Sequence, residues 1–253
     1  MGVYAGPANA WSNFTDENRI DASTKVVVQD GLVLNLDAGA STSYPGSGTT
    51  WTDLSGENNN GTFVGTTTFD SETNSISFDS GSNTYVQTPF NSLLTDITIS
   101  VWFNAQVQDS DSGSGLRPIV MLGDFLTQSP LEISIIRSGD VYVGRLRFGI
   151  GSDALEYRYV TNERYDDQNW HNAVLVKDNT TMNVYIDGNL EVSQVNDDDI
   201  LYDTSIALRI GGGTSNTARR FLGKVATTSV YNRALIEPEV QQNFNALRSR
   251  FGI

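Results

Sequence analysis

The chain has 253 residues, with 16 Lys plus Arg against 30 Asp plus Glu and a net charge of −14. So acidic a chain repels nucleic acid and anionic membrane surfaces, and no basic stripe offsets this, so neither is expected as a partner. The absence of cysteine excludes disulfides, thiolate metal sites and cysteine nucleophiles.

Taken in chain order, residues 1–30 differ from the rest. They carry Pro7, polar runs and isolated aromatics, with Val26-Val27-Val28 as the one strand-like piece. This reads as an extended arm with too few apolar residues for a core of its own, so any order in it must come from contacts elsewhere. Its first residues, MGVYAGPANAWSNF, lack the basic and apolar regions of a signal peptide. Export, if it occurs, is therefore expected by another route. No later segment approaches the ~20 apolar residues of a membrane-spanning helix.

A sandwich is expected over residues 31–253. It starts with the alternating strand Gly31–Asp37, followed by a long loop, AGASTSYPGSGTTWTDLSGENNNGT. Strand signals recur at Ser75–Phe78, Thr84–Thr88, Thr98–Asn104, Ile119–Leu122, Leu131–Ile136, Val141–Ile150 and Leu155–Val160. Further signals follow at Ala173–Lys177, Met182–Ile186, Ile206–Ile210 and Ala226–Tyr231. Within WHNAVLVKDNTTMNVYIDGNLEVS, Asp187-Gly188 signals a two-residue hairpin, because such turns need positive φ. Val184, Ile186, Leu190 and Val192 alternate around it, and Asp178–Thr181 forms the preceding turn. The spacing suits a two-sheet antiparallel jelly roll. One helix is expected, over 238–250. Pro238 suits its first turn, and Val240, Phe244, Leu247 and Phe251 form one apolar stripe, for packing on the sandwich itself or on a partner.

Three features in this order resemble the laminin G-like, concanavalin A-type β-sandwich family. They are the Trp170-His171 strand start, the Tyr185-Ile186-Asp187-Gly188 hairpin, and the closing passage from Phe221-Leu222-Gly223-Lys224-Val225 to Val230-Tyr231-Asn232-Arg233-Ala234-Leu235. The resemblance implies an all-β, concanavalin A-like sandwich that binds glycans or other surfaces. The passages Asp30–Thr62 and Val230–Ile253 are more specifically similar to virion structural proteins of tailed bacteriophages. That implies a non-enzymatic protein of the virion surface, made in the host cytoplasm: a capsid decoration, head-fibre or tail-associated protein. Its partners would be other virion proteins, further copies of itself in a homo-oligomer or array, and a host-surface glycan. Residues 1–30 would then be the attachment element, anchored by Tyr4, Trp11 and Phe14. A cellular or secreted carbohydrate-binding module is the alternative, and a glycoside hydrolase a further one.

The candidate sites follow from residue types. His171 is the sole histidine, so any Ser-His-Asp scheme must use it. Its place in the Trp-His strand start reads as structural. Sandwich glucanases set their catalytic carboxylates along one strand in a Glu-x-Asp-x-x-Glu pattern. Leu131–Ile136 carries one Glu with no acidic residue two positions on, so no catalytic residue is expected. The glycine-rich stretch Tyr44–Gly56 has two readings. In one, Trp51, with Tyr44 and Asp53, forms a ligand-binding surface for a sugar. In the other, Trp51 plugs an end of the sandwich. No cofactor is required. A structural calcium held by Asp37 and Asp53, where relatives place metal loops, is one expectation for the acidic turns, and simple solvation is the other. Asp109-Ser110-Asp111, Asp166-Asp167 and Asp197-Asp198-Asp199 offer further oxygens. Ala226 stands where relatives often carry Asp. Three glycosylation sequons, at Asn13, Asn60 and Asn179, read as chance matches in an Asn/Thr-rich chain.

Overall fold

The computed structural model describes residues 26–79, 84–107, 115–123, 131–137, 141–152, 155–195, 204, 206–212 and 220–253. These form two antiparallel sheets with one helix behind them. In chain order the strands are β1 (Leu32–Asp37), β2 (Thr50–Trp51), β3 (Gly61–Val64), β4 (Thr68–Asp70), β5 (Ser75–Phe78), β6 (Tyr85–Gln87), β7 (Ile97–Ala105) and β8 (Leu116–Leu122). They continue with β9 (Leu131–Ile136), β10 (Arg145–Ser152), β11 (Leu155–Arg164), β12 (Trp170–Lys177), β13 (Thr181–Ile186), β14 (Asn189–Val195), β15 (Arg209–Ile210) and β16 (Gly223–Tyr231). Helix α1 (Glu237–Leu247) runs into a 3₁₀ turn, Arg248–Phe251.

One sheet has the order β14-β13-β12-β7-β16-β5-β4, with β1 also paired to β16. The other runs β11-β10-β9-β8-β15-β6-β3-β2. Alternation along the strands decides what each face buries. On β7, Ile97, Ile99, Val101 and Phe103 enter the core between the sheets. Trp102 points the other way, into a cluster with Ala226 and Phe244. On β12, Ala173 and Leu175 face the core, while Val174 and Val176 meet Tyr231, Leu235 and Val240 on the back. The centre of the first sheet is therefore covered on both faces, so β7 and β12 are buried nearly throughout. Facing it across the core are Leu131, Ile133 and Ile135 of β9 with Leu146, Phe148 and Ile150 of β10.

The chain after β16 supplies the third layer. Thr98 Oγ1 donates to Arg233 O and accepts from Leu235 N at 2.9 Å each, which pins that segment to β7. Glu239 accepts from the Ile236 N–H and from both terminal nitrogens of Arg233, fixing the start of α1. The stripe expected on the helix is the one used. The Phe244 ring stacks on Trp102 at 5.5 Å and 5°, and Phe251 stacks on the same indole at 4.2 Å. The helix thus packs on its own sandwich.

Most expected elements stand, with differences at the edges. The helix begins at Glu237, and 248–251 tighten into the 3₁₀ turn. The strand expected from Val141 begins at Arg145. Residues 141–144 are a turn that Gly144 permits at φ +79°, and Val141 is 86% exposed. The long loop after β1 contains β2, and β4 follows soon after. Two- and three-residue strands are too short to show alternation, and exist because neighbours pair with them. Asp187 and Gly188 both have positive φ, as the hairpin signal requires.

Residues 26–30, grouped with the arm in sequence, pack on the sandwich. Val28 is buried, its N–H donates to Asn243 Oδ1 at 2.7 Å, and its carbonyl accepts from the Tyr231 hydroxyl at 3.1 Å. No helix among the described residues is long and apolar enough to cross a membrane.

Candidate functional site

The loop between β2 and β3 is built around one carboxylate. Asp53 is 8% exposed, and its Oδ1 accepts from the Asn35 and Ser55 N–H groups at 2.8 and 2.9 Å. Its Oδ2 accepts from the Ser55 hydroxyl at 2.7 Å and the Asn59 N–H at 2.9 Å. The Asp53 N–H in turn donates to Asn60 Oδ1 at 2.8 Å. The polar run Glu57–Asn60 is thereby folded back on β1, where Asn59 Nδ2 donates to Val33 O at 2.7 Å.

That fold-back makes one wall of an open cleft of about 200 Å³. Its apolar floor is Val33, Phe90 and Leu94, beside Pro89. Its rim carries Glu57, Asn59, Asn91, Ser92 and Asn232. The floor is held from below. Leu208 N donates to Phe90 O at 2.8 Å, and Thr88 Oγ1 accepts from Phe90 N at 3.3 Å. Asn232 is fixed through its N–H to Gly31 O at 2.8 Å. Among the described residues no hydrogen bond engages the side-chain amides of Asn91 and Asn232 or the Glu57 carboxylate. A mainly polar lining with a small apolar floor suits a ligand rich in hydroxyls that also presents a few C–H groups.

The residues expected to bind a ligand lie elsewhere. Trp51 is fully buried and stacked on Phe63 at 6.1 Å and 7°, so neither face of the indole reaches solvent. Tyr44 is 6% exposed, packs edge-on against Phe69 at 5.4 Å, and donates to Gly48 O at 3.3 Å. Burial also raises the Tyr44 phenol above its ordinary pKa. These two side chains belong to the core between the sheets, and a sugar-stacking role for them is corrected on that ground. Asp53 touches the cleft indirectly, by holding Asn59.

Asp37 and Asp53, the residues expected to hold a calcium, each accept from protein donors. Asp37 Oδ1 accepts from Arg250 at 2.5 Å and from the Gly39 N–H at 2.8 Å. Both Asp53 oxygens hold protein donors, so its carboxylate already has the partners a metal would replace. Asp166 is gripped by Arg164 Nε and Nη2 at 2.9 and 2.8 Å. Asp109–Asp111 and Asp197–Asp199 lie outside the described residues, as do Tyr4, Trp11 and Phe14. Among the described residues no three His, Asp or Glu side chains group as metal ligands. Ala226 sits fully buried in the apolar cluster under α1, with Trp102 and Phe244.

His171 has a structural setting. Its Nδ1 lies 2.8 Å from Asp187 Oδ2, and its Nε2 3.3 Å from Asp167 Oδ1. Asp187 Oδ1 also accepts from Asn172 N at 2.8 Å. The Trp-His strand start and the Asp-Gly hairpin are thus tied to each other, which explains why they occur together. Burial alone would lower the His171 pKa, but the Asp187 and Asp167 carboxylates outweigh it and hold it above the ordinary value. Tyr165 packs edge-on against the imidazole at 5.0 Å, its own pKa pushed up to about 12, first by burial and then by nearby carboxylates.

On β9, Glu132 is fully buried, lies 3.2 Å from Arg147 Nη2, and accepts from the Ser134 hydroxyl. A Cβ at Gly149 would stand 3.1 Å from its Oε1, so that glycine leaves the carboxylate its space. The neighbouring strands β8 and β10 carry no Asp or Glu. The paired carboxyl groups that retaining glycosidases hold ~5–5.5 Å apart are not assembled there.

The cleft residues escaped sequence reasoning because 33, 57–59, 89–94 and 232 share no motif. The one signal was the polar run Glu57–Asn60 directly after a turn.

Comparisons with known proteins agree on the architecture. A family model described as the concanavalin A-like lectin/glucanases superfamily, Laminin_G_3, matches residues 79–241. No curated protein sequence matches the chain. Among solved structures, the binding domain of Paraclostridial Mosquitocidal Protein 1 superposes with a TM-score of 0.66 at 18% identity, covering 86% of this chain and 52% of that one. The binding domain of botulinum neurotoxin DC, solved in complex with rat synaptotagmin II, gives 0.64 at 16%, covering 87% and 52%. Domain 4 of AbnA, a GH43 extracellular arabinanase from Geobacillus stearothermophilus, solved in complex with arabinotriose, gives 0.61 at 15%, covering 84% and 97%. The chain spans about half the length of the toxin binding domains, and at these identities the likeness is one of fold. With well over half of its length matched by the family model, and the two-sheet sandwich to carry the match, the chain belongs to the concanavalin A-like lectin/glucanase superfamily.

Proposed function

We propose that this chain is a non-enzymatic binding module that holds a glycan in the cleft between the Glu57–Asn60 loop and the Pro89–Leu94 segment. The observation that carries this reading is the cleft itself: a mainly polar lining of amides and one carboxylate over a small, supported apolar floor, with no hydrogen bond among the described residues to the Asn91 or Asn232 side chains. Two of the solved neighbours are toxin binding domains, and a third, an arabinanase domain, was solved in complex with arabinotriose. Binding of the chain to a glycan array, abolished by Asn91→Ala combined with Asn232→Ala at unchanged melting temperature, is the expected result. Absence of binding to every saccharide would overturn the reading.

The finer part of the proposal places the module on the virion surface of a tailed bacteriophage, among other virion proteins and further copies of itself. What supports it is the resemblance of Asp30–Thr62 and Val230–Ile253 to phage structural proteins. Repeated copies would raise a weak single-site affinity through avidity. Residues 1–25 would be the attachment element, since 26–30 already belong to the sandwich. Deleting 1–25 should leave cooperative melting intact and prevent incorporation into particles. Normal incorporation of the truncated chain, or its absence from purified particles in the first place, would overturn this placement.

A further inference from the structure

We infer that the cleft takes the neutral, hydroxyl-rich terminal unit of a saccharide and rejects sialylated or sulfated ones. The inference rests on the reading of the cleft as a glycan site and deepens it by naming the ligand class. Three observations carry it.

The first is charge. Among the described residues no Lys or Arg lines the cleft, and Glu57 is the one acidic side chain on it. A carboxylate or sulfate on a ligand needs a cationic partner to offset its desolvation. The nearest arginine in sequence, Arg233, is committed to Glu239, at 2.6 Å from Oε1, and to Asp30, at 2.9 Å. An acidic ligand would therefore meet Glu57 without compensation, on a chain of net charge −14.

The second is hydrogen-bond chemistry. A sugar hydroxyl both donates and accepts. The amides of Asn91 and Asn232 do the same, each with one acceptor oxygen and two donor hydrogens. The two oxygens of Glu57 accept from a pair of neighbouring hydroxyls. Val33 and Leu94, with the nearly buried Phe90 beneath, add a small apolar patch to this mainly polar lining for C–H groups to cover.

The third is size and rigidity. At about 200 Å³ the cleft is smaller than the ~300–1,000 Å³ pockets that enclose drug-sized ligands. An open site of this size reads the end of a glycan and leaves the remainder in solvent. Asp53 and Thr88 hold its wall and floor in place before a ligand arrives, which lowers the ordering cost of binding.

The test compares neutral, hexose-terminated oligosaccharides with their sialylated and sulfated counterparts, displayed multivalently. Wild type is measured beside Asn91→Ala, Asn232→Ala and Glu57→Lys, each checked by melting. Neutral glycans should bind, and each alanine variant should weaken them roughly three- to tenfold per lost hydrogen bond. Acidic counterparts should bind at least tenfold more weakly than neutral ones, and Glu57→Lys should narrow or reverse that gap. Acidic glycans that bind wild type as well as neutral ones, and lose binding in Asn91→Ala, would overturn this inference and leave the glycan site standing. Neutral binding that ignores all three substitutions, or no saccharide binding at all, would overturn both.

Discussion

Asp53→Asn separates two accounts of the loop that shapes the cleft. In the structure the Asp53 carboxylate is an internal acceptor for four donors, and it is 8% exposed. The substitution keeps the shape and changes one oxygen into an NH₂ group. With the remaining oxygen left toward Asn35 and Ser55, the new NH₂ faces the Asn59 N–H, which lay 2.9 Å from Oδ2. Two donors then oppose each other, while the Ser55 hydroxyl can turn round to accept. The flipped amide is worse, because it confronts two backbone N–H groups. Hydrogen bonds to charged groups are worth about 1.5–3 kcal/mol, and little water reaches this site to compensate. A loss of about 2 kcal/mol follows, which for a chain of this size lowers the melting midpoint by about 4–8 °C. Glycan affinity should fall with it, since Asn59 loses its tether. The assay is thermal melting of wild type and variant, each with added calcium and with EDTA. Wild type should melt alike in both. An unchanged midpoint in the variant would refute the reasoning. So would a wild type that falls to the variant's level in EDTA, since the carboxylate would then be acting through a cation.

Phe244→Ala removes the ring stacked on Trp102 and should cost about 3 kcal/mol, with a change in Trp102 fluorescence that chemical denaturation can follow; a shift under 1 kcal/mol would show that the helix contributes little to the fold. Gly188→Ala places a Cβ 2.8 Å from Phe244 Cδ1 at a φ of +78°, so it should destabilise the same junction, and an unchanged urea midpoint would contradict the packing. His171 has a folded pKa raised by Asp187 and Asp167, so its contribution is fully present below the unfolded value of ~6.5 and is lost as pH rises through the higher folded value; melting from pH 6 to 9 should show a decline that His171→Gln flattens. Asp70, held at about pKa 2 chiefly by Lys224, acts with the opposite sign. Its contribution is present above the unfolded value near 4 and is lost as pH falls toward 2. Lys224→Met should remove that part of the acid sensitivity.

Local rules decided much of this protein. Alternation at Leu32–Asp37, Ser75–Phe78 and Leu131–Ile136, the paired positive φ values of Asp187-Gly188, and the stripe from Val240 to Phe251 were legible in sequence, because each depends on neighbours a few residues away. The two-sheet class followed from them. Tertiary structure decided what those rules leave open. Trp51 could have stacked on a sugar or plugged the sandwich, and it is the pairing of Thr50–Trp51 with Gly61–Thr62 that turns its ring inward onto Phe63. The donors to Asp37 and Asp53 were not legible either: Arg250, 213 residues from Asp37, and the backbone folded around Asp53 supply them. The cleft assembles residues from 33 to 232 that no local pattern links. The reason is physical: turn geometry and side-chain alternation are short-range properties of the chain. Burial and hydrogen-bond satisfaction are settled only when distant segments close over one another.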